Sequence, residues 1–127
     1  MLGGKFLPGS YTFTGGVGVI WKFSDISRYN ANEGYNFSTI KSGSKKEMGS
    51  TSRPITEEEE AYAQKIVNDS FENFISDVIS HRTIDRSEID DGRVIRGADA
   101  IRLNIVDEIG NLNDAIDGAK KIAESRH

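Results

Sequence analysis

Few groups in this chain can do chemistry, and three of them fall close together. Lys41, Lys45 and Lys46 lie in the stretch Ile40-Lys41-Ser42-Gly43-Ser44-Lys45-Lys46-Glu47. A neutral lysine amine can take the proton of a serine hydroxyl and turn it into a nucleophile. A free lysine has a pKa of about 10.4, so such a base needs a value roughly 3 lower at neutral pH, about 4 kcal/mol supplied by burial. On these residues alone, the plain reading is a solvated basic loop. The other reactive types are scarce. There is no cysteine, which excludes disulfides, thiolate chemistry and cysteine-held metals. His81 and His127 stand far apart, outside any metal-ligand spacing, and are expected to be surface residues. The run Glu57-Glu58-Glu59-Glu60 is read as a helix start rather than a metal site, because its charge suits the positive end of a helix dipole. Gly15-Gly16-Val17-Gly18 falls in strand-like sequence with no clear helix behind it, so it makes a poor phosphate loop. No cofactor and no metal are expected.

Bulk properties narrow the class further. The chain has 127 residues and a net charge of −4, with both signs mixed along its length. That length suits one domain. The charge argues against nucleic acid, which needs a clustered basic face. No apolar run approaches the ~20 residues of a membrane-spanning helix, and the first residues are too short and glycine-rich for a signal peptide. The chain as given is expected to be soluble.

The elements that would position the lysines follow from pattern. Residues 11–21, rich in aromatic, β-branched and glycine residues, predict a buried strand. Residues 24–34 predict a short helix or turn, 35–40 a second strand, and 41–53 a loop. Residues 56–82 predict a long helix. Thr56 and Glu59 form a capping box, and Ala63, Ile66, Val67, Ser70, Phe71, Phe74, Ile75, Val78 and Ile79 form an apolar stripe. Beyond it come a helical turn at 84–91, a strand at 94–95, a helix at 98–104, a strand at 105–106 and a terminal helix at 111–125. Alternating strands and helices give an α/β class.

Four local patterns arrive in order. They are Thr14-Gly15-Gly16-Val17-Gly18-Val19-Ile20, then Ile40 to Glu47 as quoted, then Ser52-Arg53-Pro54-Ile55-Thr56-Glu57-Glu58. The last is Asp91-Gly92-Arg93-Val94-Ile95-Arg96-Gly97-Ala98-Asp99-Ala100, running on to Leu103-Asn104-Ile105-Val106-Asp107-Glu108-Ile109-Gly110. Together they resemble the signal peptide peptidase A (protease IV) family. The resemblance implies a ClpP/crotonase-like α/β superhelix, here partial, with residues 1–127 as the C-terminal portion of one peptidase domain. It implies a Ser-Lys dyad acting on peptides such as signal peptide remnants. The family's base lies in a Gly-x-x-Lys segment, which puts that role on Lys46 rather than Lys45.

The family's serine and most of its oxyanion donors lie upstream of the matched segment. Ser10, Ser42 and Ser44 do not match the nucleophile's context, so the chain is expected to be inactive alone. The family often carries a serine that orients the lysine where this chain has Gly16. The expected partners are peptide substrate and either further copies or a serine-bearing chain, at the cell envelope and reaching the membrane only through a segment absent here. The alternative is a non-catalytic subunit of a peptidase ring. A crotonase-like acyl-CoA enzyme is a distant third reading, since no CoA-binding signature is visible.

Overall fold

A computed structural model of the chain describes residues 5–125. The elements are β1 (Phe13–Gly15), α1 (Ser27–Asn32), α2 (Glu57–His81), β2 (Val94–Arg96), α3 (Gly97–Arg102) and α4 (Leu112–Glu124), with a 3-10 turn at Arg86–Glu88. They form a mixed helix and sheet structure that divides into two compact units. One comprises residues up to Gly18 and from Glu72 onward, and the other Val19–Phe71.

The first unit is built where the first and fourth sequence motifs meet. β1 runs antiparallel to β2, with Phe13 opposite Arg96, Thr14 opposite Ile95 and Gly15 opposite Val94. The Gly16 amide extends the pairing to the Arg93 carbonyl at 3.0 Å. Two glycines make this approach possible. Gly15 has φ +91°, and a Cβ there would sit 2.6 Å from the Arg93 carbonyl oxygen. Gly97 donates its amide to the Thr12 carbonyl at 2.7 Å, and its own Cβ would lie 2.2 Å from the Gly9 carbonyl oxygen. Residues 9–12 therefore lie against the start of α3 with no room for a side chain between.

The apolar core sits in this unit. Ile75 of α2, Ile89, Ile95 of β2, Ala100 of α3 and Val106 are all buried. Each buried isoleucine or valine contributes about 1.5–3 kcal/mol. Asn104 ends α3 in the left-handed region, φ 58°. That turn brings the Ile105 and Val106 amides back onto the Ala100 carbonyl, at 2.9 and 3.4 Å. The strand expected at 105–106 is absent for this reason, since its donors close the helix end instead of a ladder. α4 is capped by Asn111, whose Oδ1 accepts the Asn113 and Asp114 amides while Asp114 accepts the Asn111 amide.

In the second unit the long helix begins as predicted. The Glu59 amide donates to Thr56 Oγ1 at 3.2 Å, and the Thr56 amide donates to the Glu59 carboxylate at 3.1 Å. α1 and the turns at 44–49 match the short helix and the loop read from sequence. The strand expected at 35–40 does not form, and the one expected at 11–21 shrinks to Phe13–Gly15. A strand needs a ladder partner, and among the described residues none pairs with residues 17–21 or 35–40. Their apolar side chains stand in solvent, with Ile20 84% and Phe37 65% exposed.

The glycine geometry gives two substitutions of opposite sign. Gly97→Ala forces a methyl into the Gly9 carbonyl and is expected to destabilise the chain by about 1–3 kcal/mol. Gly118→Ala, in α4 with open space around its Cβ position, is expected to stabilise by about 0.5–1 kcal/mol. Urea unfolding followed by circular dichroism checks both. A neutral Gly97→Ala would mean that residues 9–12 do not lie against α3.

Candidate active-site loop

The lysines sit on a turn made by glycine and serine. Residues 43–50 wind through three successive backbone bonds: the Lys46 amide to the Gly43 carbonyl at 3.1 Å, Met48 to Lys45 at 3.1 Å and Ser50 to Glu47 at 3.0 Å. Gly49 takes φ +86° and lies against the Phe23 ring. Turns of this kind lack internal apolar packing, so something else must hold them.

That role falls to Arg53. Its guanidinium donates two nearly parallel bonds to the Glu59 carboxylate, 2.9 and 2.7 Å, while its Nε donates to Glu47 at 3.2 Å. A third contact runs from the same guanidinium to the Pro54 carbonyl at 2.9 Å. Planar guanidinium geometry matches a carboxylate in this way, and a lysine cannot reproduce it. Glu47 accepts two further bonds, from Thr39 Oγ1 at 2.7 Å and Lys41 Nζ at 3.2 Å. The second and third sequence motifs are therefore joined through Glu47 and Arg53, as the first and fourth are joined through β1 and β2.

The electrostatics follow from these contacts. Glu47 is held down to about 2, chiefly by the Thr39 hydroxyl and then by Lys41 and Arg53. Glu59 is likewise held down to about 2, first by the Arg53 guanidinium and then by the Thr56 amide. Arg53 is raised further above its already high value by the same two carboxylates, Glu59 first. Glu59 is buried, at 4% exposure, yet fully paired.

The two neighbouring lysines part company here. Lys45 pairs with Glu58 and lies 5.7 Å from the centre of the Tyr62 ring. Lys46 is exposed and makes no side-chain hydrogen bond or ion pair among the described residues. A cavity of about 300 Å³ opens beside the loop, lined by Lys41, Lys45, Arg53 and the start of α2, and Lys46 is not among its lining residues. Of the serines considered as nucleophile, Ser42 and Ser44 are exposed on the loop itself, and Ser10 lies in the other unit, where its backbone carbonyl accepts the Ala98 amide at 3.4 Å. His81 is exposed at the end of α2, with Nδ1 2.8 Å from the Asp77 carbonyl. His127 lies outside the described residues. Among the described residues no acidic and histidine cluster could hold a metal, and no helix is long and apolar enough to cross a membrane.

Sequence reasoning missed the Glu47–Arg53–Glu59 hub. The three residues stand at intervals of six, a spacing with no helical or strand meaning. The only available signal was that one arginine lies midway between two acids.

In the first unit, a larger groove of about 1040 Å³ is lined by Thr14, Gly15 and Val17 of the first motif and by Asn104, Ile105 and Asp107 of the fourth. Asp107 ties this region together, accepting from the Phe6 amide at 2.8 Å and from Arg82 at 2.8 Å. Arg82 first, then the Phe6 amide, holds its carboxyl below the usual range.

Comparison with known proteins gives the family of the chain. The model of Peptidase family S49 matches residues 2–126, and the chain belongs to that family. It is 33% identical over 116 residues to a "Putative protease" of Methanocaldococcus jannaschii, covering 89% of this chain and 37% of that protein. It is 34% identical over 120 residues to a "Putative signal peptide peptidase SppA" of Enterococcus faecium, covering 92% of this chain and 35% of that one. A "Serine protease SPPA, chloroplastic" of Arabidopsis thaliana is 30% identical over 116 residues, covering 88% of this chain and 17% of its own length. The likeness to signal peptide peptidase A read from the four motifs is borne out. The chain spans little more than a third of the first of these relatives.

The hub predicts a pH dependence. Carboxylates with folded values of about 2, against 4.5 ordinarily, stabilise the folded state above pH 4.5. That contribution is lost as pH falls from 4.5 to 2. Glu59→Gln removes one of the two titrations. The stability gap between parent and variant is expected to be wide at pH 6 and to close across that window, read as melting temperature. A gap that stays constant from pH 6 to pH 2 would show that Glu59 does not carry this linkage.

Proposed function

We propose that this chain supplies the lysine half of a Ser-Lys endopeptidase acting on signal peptide remnants, with Lys46 as general base. The nucleophilic serine and the oxyanion donors come from outside residues 1–127, and these residues alone are inactive. The observation that carries this reading is the separation of the two lysines. Lys45 is neutralised by Glu58, whereas Lys46 is presented on a braced turn with no counter-ion among the described residues. Family membership and the relatives' names support the chemistry.

In that chemistry the neutral Lys46 amine takes the serine hydroxyl proton as the oxygen attacks the peptide carbonyl. The resulting ammonium returns a proton to the leaving amine as the tetrahedral adduct collapses, and an acyl-serine remains. Water then repeats the sequence against the same base. Assembly must bury Lys46, because an exposed amine stays charged. The working site belongs to an assembled ClpP/crotonase-like superhelix at the cell envelope, with this chain contributing one partial domain, residues 1–127.

One observation favours a second reading, a non-catalytic subunit of a peptidase ring. Gly16 stands where the family often carries the orienting serine, and it adopts φ +62° with open space around its Cβ position. A serine there would sit in the left-handed region at a cost of about 1–2 kcal/mol.

The test is hydrolysis of a leucine-rich fluorogenic peptide. The chain alone is expected to show no turnover and no labelling by a fluorophosphonate. Mixed with a serine-bearing family member that lacks its own lysine segment, it is expected to restore hydrolysis. Lys46→Met should then reduce the rate by roughly a hundredfold or more, while Lys45→Met stays near the parent. Equal rates for Lys46→Met and parent would overturn the assignment. No activity in any mixture, with Gly16→Ser included, would favour the ring-subunit reading.

A further inference from the structure

Every carboxylate with a side-chain partner around the lysine turn is engaged by a cation other than Lys46. Glu47 follows Lys46 directly in the chain, and both its oxygens are occupied: Oε1 by Thr39, Oε2 by Lys41 and Arg53. Glu59 is held on both oxygens by Arg53, and Glu58 is taken by Lys45. Glu57 and Glu60, on the same first turn of α2, are exposed and form no ion pair among the described residues. A lysine that is to act as a base must avoid a carboxylate neighbour, because an opposite charge within hydrogen-bond range favours the ammonium. The nearest such threat along the chain is Glu47. Arg53 links it to the buried Glu59 at the N-terminus of α2, so the carboxylate is tied back toward the helix start.

We propose that Arg53 is a positioning residue that sequesters the Glu47 carboxylate, so that the neighbouring Lys46 amine is left without a counter-ion. The inference rests on the assignment of Lys46 as base, and it adds the device that keeps the base usable. Arginine suits the role and lysine does not. One planar guanidinium spans both carboxylates, bidentate on Glu59 and through Nε on Glu47, and it never gives up its own proton. Lys41 and Thr39 each make a single contact with Glu47, on different oxygens, and neither ties it to the start of α2.

The test separates sequestration from simple bracing. Arg53→Gln by itself would leave the buried Glu59 unpaired, so the working variant is Arg53→Gln/Glu59→Gln, which cuts Glu47 loose from the start of α2, leaves it only Thr39 and Lys41, and strands no buried charge. Lys46 is followed by NMR in lysine-labelled chain, with its resonance assigned through Lys46→Arg. The titration midpoint of its amine is expected to rise by about one pH unit relative to parent. Adding Glu47→Gln is expected to return it, a reversal that a merely structural role would not give. In the serine-bearing mixture, the rising limb of the pH–rate profile should move to higher pH by the same amount. Near pH 7.5 that is a loss of about tenfold, again restored by Glu47→Gln. An unchanged midpoint, with the amide resonances of residues 43–50 still dispersed, overturns the proposal. Should the double variant fail to fold, Arg53→Lys replaces it. That variant keeps a charge for Glu59 but cannot span both acids, and it carries the same expected rise and the same reversal. The base assignment fails separately, when Lys46→Met is as active as parent, and the titration then still decides the role of Arg53.

Discussion

A single guanidinium stands in the second unit where most folds have a hydrophobic core. Between Val19 and Phe71, Ala63 is the one fully buried apolar residue among those described, while Ile20, Tyr29, Tyr35, Phe37 and Ile40 face solvent. Such a segment cannot be ordered by apolar burial alone. Arg53 substitutes a different constraint. It reaches six residues back to Glu47 and six forward to Glu59, fastening the lysine turn to the start of the longest helix. Exposed ion pairs are individually weak. This one is different in kind, because Glu59 is buried and breaking a buried pair leaves an uncompensated charge. The same carboxylate also closes the capping box with Thr56, so cap and ion pair depend on one side chain. Loss of Arg53 would therefore loosen the turn and the helix start together.

The first unit solves the opposite problem by close backbone approach. Its isoleucines and Val106 supply an ordinary apolar core. What fixes the register is the absence of Cβ atoms at Gly15 and Gly97, which lets residues 9–16 lie directly on residues 93–98. Asn104 extends the same logic, its left-handed turn carrying the chain back toward Ala100 while its side-chain amide donates to the Thr83 carbonyl. Asp107 then collects the Phe6 amide and Arg82, linking the beginning of the described chain to the end of α2. The motifs that suggested a family are thus contact points, paired first with fourth and second with third.

That pairing explains what the sequence could and could not reveal. Helices were legible because their signals are local. The Thr56–Glu59 box and the apolar spacing after it placed α2 to within a residue, and α1, α3 and α4 also fell where expected. Strands were less legible because a strand is a relation between two segments. Residues 35–40 have strand composition but no strand partner among the described residues, so they form no ladder. Residues 105–106 failed for another reason, since a helix end claimed their amides. The family was readable from ordered motifs, each weak alone. The ionic hub was not readable, because Glu47, Arg53 and Glu59 meet only through the folded path of the turn.

The contrast between Lys45 and Lys46 shows how adjacent identical side chains acquire different contacts. Their covalent structure is the same and their sequence neighbours are shared, so composition cannot tell them apart. The turn separates them, directing one amine to Glu58 and the face of Tyr62 and leaving the other unpaired. A carboxylate and an aromatic ring both attract an ammonium, and only Lys45 has them as neighbours. The surroundings of a lysine in a basic loop therefore depend as much on where the nearby acids are directed as on its own position, and here Glu47, Glu58 and Glu59 are committed to Arg53, Lys41 and Lys45.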